Sequence, residues 1–420
     1  MHHFKYQNNE LYCEAVKIRD IAKKFGTPLY IYSRRTLIDH YQKIKTAFRS
    51  INPLICFSVK ANSNLAVLKL LVKQGAGLDV VSGGELYKAL KVGVSPKKIV
   101  YAGVGKSEVE IAQAIRAETL FFNAESFAEL GLIERVAGRL GKRVDVALRM
   151  NPDVDPHTHK FITTAKMTNK FGLDAKTCEE IFLRACIFSH LRLTGLHVHI
   201  GSQITDAQPF VRAIKKALVL IRRLKERKVL LKYLNIGGGL GIVYHDEKPQ
   251  SAAEFARRVL PLLKKTGLKL ILEPGRFIAG NSGIMLTKVV YLKKTPNKNF
   301  AIVDAGMNDL VRPSFYDAYH EILPVVRNTG YGRRNTEYDI VGPICESGDF
   351  LAKDRNLSVL QAEDLLAVMG AGAYGFTMSS NYNSRPRVAE VLVNKNKFSL
   401  VRKRETYADL IRLEIIPRKL

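Results

Sequence analysis

Cysteine is scarce in this sequence. Cys13, Cys56, Cys178, Cys186 and Cys345 are spread over 420 residues. The number is odd and no pair is spaced C-x-x-C, which argues against a disulfide framework and against a structural zinc site. A reducing, cytoplasmic compartment is expected. No apolar run approaches the roughly 18 residues that a membrane span needs. The opening Met1-His2-His3-Phe4-Lys5 lacks the apolar stretch of a secretory signal and the Arg/Ser bias of a transit peptide. Low-complexity linkers are missing too, as are repeats of the collagen or coiled-coil type. Acids are in deficit: 39 Asp and Glu face 66 Lys and Arg, for a net charge of +27. Such a field attracts polyanions through a salt-dependent term. The bases are nevertheless spread over many helices, and no zinc finger, basic zipper or RNP motif is present. Neither a specific nucleic-acid partner nor a membrane partner is expected. The excess reads as solvated helix faces, with a field that also favours a small anionic ligand.

What is present is ordinary globular material: 46% hydrophobic and 25% charged residues. The length suggests two or three domains. Short β-branched runs recur at Pro53–Val59, Leu78–Val81, Ile99–Ala102, Leu120–Asn123, Val144–Met150, Leu191–His199, Tyr233–Ile236 and Leu268–Leu272. Amphipathic segments such as Asn64–Gln74, Glu108–Ala117, Ala207–Arg227 and Ala252–Lys265 lie between them, with apolar residues at helical spacing. Eight strands, most followed by a helix, predict an α/β fold, a (β/α)8 TIM-type barrel; a doubly wound sheet is the competing layout. The chemically loaded residues follow the strands: Lys60, Ser82, Asn123, Asn151, His197 and His199, the Gly237 run and Glu273. A barrel brings all those ends to one rim, which favours it. After about Gly280, strand-like runs separated by turns predict a second, all-β domain, sandwich or barrel-like. The division expected is a barrel over 28–280 and a β-domain from 1–27 plus 281–420.

Each chemical signal has two readings at this point. Lys60, in Ser58-Val59-Lys60-Ala61-Asn62, ends an apolar strand. Desolvation there would free its amine as a nucleophile; otherwise it is a surface lysine. Gly237-Gly238-Gly239-Leu240-Gly241 is a phosphate cradle or a flexible turn. Glu273-Pro274-Gly275-Arg276 offers a carboxylate for a cationic ring nitrogen and a cation for an anion, or a surface salt bridge. His197 and His199 share a strand face. With no third ligand at a suitable spacing, no metal is expected; His199 reads as a stacking partner for a flat ligand and His197 as a core histidine in apolar surroundings. Cys345, beside acids and glycines, is a proton donor or an inert thiol. Arg312 and Tyr316 offer a carboxylate fork and a phenol, and Tyr374 sits in a small-residue loop. Taken together, a strand-end lysine, a glycine cradle, a carboxylate and a histidine are the parts of a pyridoxal phosphate site.

These strings, with Gly77-Leu78-Asp79-Val80-Val81-Ser82-Gly83-Gly84-Glu85, Cys345-Glu346-Ser347-Gly348-Asp349 and Met378-Ser379-Ser380-Asn381-Tyr382-Asn383-Ser384-Arg385-Pro386-Arg387, occur in one order over nearly the whole chain. The sequence resembles the diaminopimelate decarboxylase family, pyridoxal-phosphate enzymes on an alanine-racemase-like barrel. The resemblance implies decarboxylation of meso-2,6-diaminopimelate to L-lysine and CO2, the last step of lysine biosynthesis, with pyridoxal 5'-phosphate as cofactor. Lys60 would carry the cofactor covalently and His199 would stack on its ring. Ser202, Gly238, Gly239, Gly275 and Arg276 would surround the phosphate, helped by Tyr374, and Glu273 would meet the ring nitrogen. Arg276, Arg312 and Tyr316 would take the substrate's distal carboxylate and Glu346 its distal ammonium, with Tyr374 lining the same pocket. Cys345 would donate the proton. The resemblance also implies a homodimer with shared sites, Cys345 and Glu346 reaching in from the partner chain. Phe57-Ser58 departs from the family's frequent Tyr-Ala, and the high charge is atypical.

Three rivals are weighed against this. An alanine-racemase-type enzyme would place an arginine, not Glu273, at the ring nitrogen. A decarboxylase of another basic amino acid, of the ornithine or arginine type, would leave Arg312 and Arg276 without an anionic partner, an unpaired charge that can set substrate choice. A non-catalytic pyridoxal-phosphate-binding relative would be expected to lack Lys60.

Overall fold

The eight runs between residues 54 and 272 become eight strands because each is too apolar to leave in water and too short for a helix that buries one face only. In the computed structural model, which describes residues 2–155, 169–327 and 335–418, they are Leu54–Ser58, Gly77–Val80, Ile99–Tyr101, Phe121–Ala124, Val144–Arg149, Leu191–His197, Tyr233–Asn235 and Lys269–Leu272. Each pairs in parallel with the next, and the last pairs with the first (Ile271 with Leu54, Leu272 with Ile55), so the sheet closes into a barrel. Cys56, Val100, Phe121, Ala147 and Ile271, from five of these strands, form one buried layer. Truncating a residue as enclosed as Phe121 would cost about 3–5 kcal/mol. The helices start abruptly because polar residues after the strands cap them. Ser82 accepts from Glu85 N–H, Ser107 forms a capping box with Glu110, and Ser126 accepts from Glu129 N–H. Ser82, read from its position as chemical, is thus an N-cap. Asn151 likewise serves its own loop, donating to Phe171 O at 3.1 Å.

The barrel belongs to a compact unit of Ile38–Val243 and Glu247–Ile278. The other unit takes residues up to Leu37, Tyr244–Asp246 and Ala279–Leu420. Its main sheet has nine strands among the described residues, in the order Phe350–Ser358, Asn335–Val341, Asn299–Val303, Gly283–Lys294, Leu29–Ser33, Ala389–Asn394 and Lys397–Arg402, with Leu365–Val368 and Ile322–Pro324 branching from Gly283–Lys294. Three short strands, Phe4–Gln7, Glu10–Cys13 and Val16–Lys17, form a separate antiparallel sheet. Side chains from both sheets, including Leu11, Leu29, Ile31, Ile284, Leu286 and Val391, share one apolar cluster.

The observed division differs from the expected one at the N-terminal side. Leu29–Ser33 lies in the β-unit, antiparallel to Gly283–Lys294 (Leu29 opposite Leu286) and parallel to Ala389–Asn394. All five of its residues are buried. By composition alone it cannot be told from a barrel strand; only its partners place it.

Candidate active site

Lys60 leaves the first barrel strand on the single turn Val59–Ala61, between two buried neighbours. Its Nζ lies 3.2 Å from Oδ2 of Asp79, a fully buried carboxylate of the second strand. Ser58 Oγ donates to the same Oδ2 at 2.7 Å and lies 3.0 Å from the carbonyl oxygen of Glu273. Glu273 follows the eighth strand. Its Oε1 accepts from Asn235 Nδ2 at 2.5 Å and from Asn123 Nδ2 at 3.3 Å, and its Oε2 is 3.3 Å from His197 Nε2. That last pair is close enough for an ion pair but is not aligned as a hydrogen bond. Six strands therefore contribute to one polar network.

Burial works against both carboxylates, and the outcomes differ. At Asp79 burial is the largest influence and pushes the carboxyl up, only partly countered by Lys60 and the Ser58 hydroxyl. At Glu273 burial also opposes ionisation, but His197, Lys60 and the Asn235 amide together outweigh it and hold the carboxyl well below the usual range. Glu273 is a fixed negative charge. His199 is driven the other way. Burial first, then the cations Arg149 and Lys60, hold its imidazole well below its ordinary value, so it is a neutral flat ring. Its Nδ1 accepts from Gly238 N–H at 3.3 Å, which puts the ring proton on Nε2.

The glycine run is pressed against this network. A β-carbon on Gly237, whose φ is +67°, would sit 2.6 Å from His199 Nδ1. One on Gly238 would sit 2.1 Å from Glu273 O, and one on Gly239, at φ +113°, 2.6 Å from Gly201 O. Side chains are excluded there by the His199 ring at Gly237 and by backbone at Gly238 and Gly239, so the chain offers bare peptide groups. Arg276, buried on the turn after Gly275, donates from Nε to Ser202 Oγ at 3.0 Å.

In the β-unit, Arg312 and Tyr316 share the short helix Arg312–Tyr316. Arg312 Nη1 is 3.1 Å from His320 Nε2, and His320 Nδ1 is 2.7 Å from Met369 O. His320 must therefore donate at Nδ1 and accept at Nε2, which makes it a neutral prop for the guanidinium. The Tyr244 ring faces the same guanidinium at 4.7 Å. Cys345 and Glu346 are exposed, on the loop between Asn335–Val341 and Phe350–Ser358. Tyr374 stands in a left-handed conformation at φ +57°.

Residues 34–280 match the model of the pyridoxal-dependent decarboxylases, pyridoxal binding domain. The chain is 48% identical over 406 residues to the diaminopimelate decarboxylase of Aquifex aeolicus, covering 96% of each chain. It is 47% identical to that of Vibrio cholerae, covering 99% of each. The chain belongs to the diaminopimelate decarboxylase family. Among solved structures, the diaminopimelate decarboxylase of M. jannaschii in complex with L-lysine superposes with a TM-score of 0.94 at 38% identity, covering 99% of each chain. That of Helicobacter pylori, also with L-lysine, gives 0.91 at 41%, covering 94% of this chain and 98% of the other.

The cofactor of this family of decarboxylases is pyridoxal phosphate, and the barrel residues fit it. Asp79 Oδ1 and Asn123 Oδ1 are buried polar atoms without a hydrogen-bond partner among the described residues, next to Lys60 and Glu273. Orphans of this kind mark a place where a polar ligand belongs. The glycine cradle excludes side chains beside a buried arginine, as a phosphate requires. Of the residues named from sequence, Lys60, His199, Ser202, Gly238, Gly239, Glu273, Gly275 and Arg276 lie in the barrel unit, and Arg312, Tyr316, Cys345, Glu346 and Tyr374 in the β-unit.

Sequence reasoning missed four partners. Asp79 and Asn235 received no role, although each is a polar residue in an apolar strand, which is the available signal. Arg149, paired with Glu125 at 2.9 Å in the interior, bears on His199 and was also overlooked. His197, taken for a histidine in apolar surroundings, lies instead beside the Glu273 carboxylate. Alternation within a strand shows that it is buried, not that a charge closes in from another strand.

Proposed function

We propose that this chain removes CO2 from the D-configured carbon of meso-2,6-diaminopimelate and releases L-lysine, working as a cytoplasmic homodimer. The observation that carries the reading is one polar network at the strand ends: Lys60 pairs with Asp79, Ser58 links Asp79 to the backbone carbonyl of Glu273, and Asn235, Asn123 and His197 hold the Glu273 carboxylate. When bound, pyridoxal phosphate supplies the electron sink for the pair left behind as CO2 departs. Lys60 would provide the amine that holds the cofactor. Asp79 lies within reach of any proton Lys60 gives up. Glu273, kept ionised, holds positive charge at the ring nitrogen, and a fixed charge in a dry site costs no reorganisation during reaction. His199 offers its neutral face for stacking. Ser202, Gly238, Gly239, Gly275 and Arg276 would bind the phosphate.

Arg312 is the seat for the distal carboxylate: it is a buried guanidinium braced by the His320 imidazole and the Tyr244 ring. Tyr316 and Tyr374 complete that seat, and Glu346 takes the distal ammonium. Cys345 returns a proton to the carbon that lost CO2. Its exposure, with that of Glu346, suits delivery into the site of a second copy. Cys13, Cys56, Cys178, Cys186 and Cys345 are all free thiols, which suits a reducing compartment. No described helix is long and apolar enough to cross a membrane.

The test is CO2 release from meso-diaminopimelate set against ornithine, arginine and lysine. Turnover of diaminopimelate alone is expected. Preference for a substrate with no distal carboxylate would overturn the assignment of Arg312 and of the substrate.

A further inference from the structure

Cys345 sits on an exposed loop that runs from Gly342 to Gly348. A proton donor misplaced by about 1 Å can lose about a hundredfold in rate, so a bare loop is a poor mount. This loop is tied at its base. Asp349, buried, accepts from Ile344 N–H through Oδ2 and from Met307 N–H through Oδ1, both at 2.6 Å. Ser314 Oγ donates to Gly348 O at 2.6 Å. Those bonds fix where the loop starts and ends. One further bond reaches the cysteine itself: Cys345 N–H donates to Asn383 Oδ1 at 2.8 Å.

Asn383 lies in the Met378–Arg387 string, which has no other assigned task. It is left-handed, at φ +53° and ψ +31°, and Ser384 follows at φ +52°. L-residues avoid this conformation, and asparagine tolerates it best. Neighbouring bonds hold the turn: Asn381 Nδ2 donates to Arg385 O at 3.0 Å, and Arg385 Nη2 to Asp304 O at 3.0 Å. Both Cys345 and Asn383 are exposed. Water would satisfy either group equally well, so the bond adds little to folding. What water cannot supply is direction.

We infer that Asn383 is a positioning residue: its side-chain carbonyl, presented by a strained turn, fixes the backbone of Cys345 and so aims the thiol that returns the proton. The inference rests on the reading of Cys345 as proton donor given above.

The experiment compares cofactor-loaded wild type with Asn383→Gly, which keeps the left-handed turn accessible and removes the acceptor, and Asn383→Asp, which restores an acceptor. Asn383→Gly should lower kcat for diaminopimelate about tenfold, with KM within about twofold and Tm unchanged. Asn383→Asp should recover more than half of the wild-type kcat. Without substrate, the rate at which iodoacetamide alkylates Cys345, followed by peptide mass to separate it from the exposed Cys186, should change about threefold or more in Asn383→Gly. An unchanged kcat in Asn383→Gly, an unchanged alkylation rate, or an Asp variant as slow as the Gly variant would each overturn the inference. The alkylation arm needs no substrate, so it reads the clamp separately from the substrate assignment, which fails on its own if wild type releases no CO2 from diaminopimelate.

Discussion

The barrel rim and the β-unit handle charge in opposite ways. In the barrel, basic side chains lie against carboxylates: part-buried Lys60 with Asp79, His197 beside Glu273 and, in the interior, Arg149 with Glu125 and Lys106 with Glu129. In the β-unit, the cation proposed for substrate leans on a neutral imidazole and an aromatic face, and the proposed proton donor is exposed. Buried pairs are costly to assemble and costlier to break singly, so they suit a device that must not move. The contrast separates the proposed cofactor mount from the proposed substrate grip.

That contrast can be broken in four places. Lys60→Ala should abolish turnover and remove the absorbance band near the visible edge; a variant that keeps the band would dissolve the mount. Glu273→Gln keeps the shape and removes the charge, and should lower kcat by about 10²–10³. A KM effect alone would place Glu273 outside the mount. Arg312→Ala should lower kcat/KM about 10- to 100-fold, the worth of a charge-assisted contact, with the cofactor band untouched. Loss of the band would erase the distinction between mount and grip.

The smallest effect concerns stability and pH. Asp309 of the β-unit is pushed up to about 7, chiefly by burial. In the unfolded chain it titrates near 4. Between those values the unfolded state releases its proton while the folded state keeps it, so folding loses stability as pH rises from about 4 to 7. Asp309→Asn removes that penalty. Relative to wild type it should gain about 2 kcal/mol between pH 5 and pH 8 in denaturant titrations; a flat difference would show that burial does not govern this carboxyl. Glu85 in the barrel, also raised to about 7 and with burial as the first cause, should follow the same sign.

The barrel was legible because parallel strands buried on both faces are written as apolar runs, and all eight fall within a few residues of expectation. Lys60, Glu273 and the glycine run were legible because each follows such a run. Phe350–Ser358 was not, since Lys353, Asp354 and Arg355 make an outer strand look like a loop. The three N-terminal strands were too short to show a period. Asp79, Asn235 and His197 stayed silent for another reason. Their meaning depends on strands distant in the chain that closure brings together, and local pattern carries no record of that.

The strand Leu29–Ser33 has a consequence for how the molecule is made. It emerges from the ribosome before any barrel strand, yet its partners are Gly283–Lys294 and Ala389–Asn394. The barrel has all its strands by Leu272, while this largely apolar segment must wait with both hydrogen-bonding edges open until the C-terminal third is synthesised. A chain halted shortly after residue 280 would carry a finished barrel and a sticky leader, so truncated translation products of this protein should be guests for chaperones and seeds for aggregates.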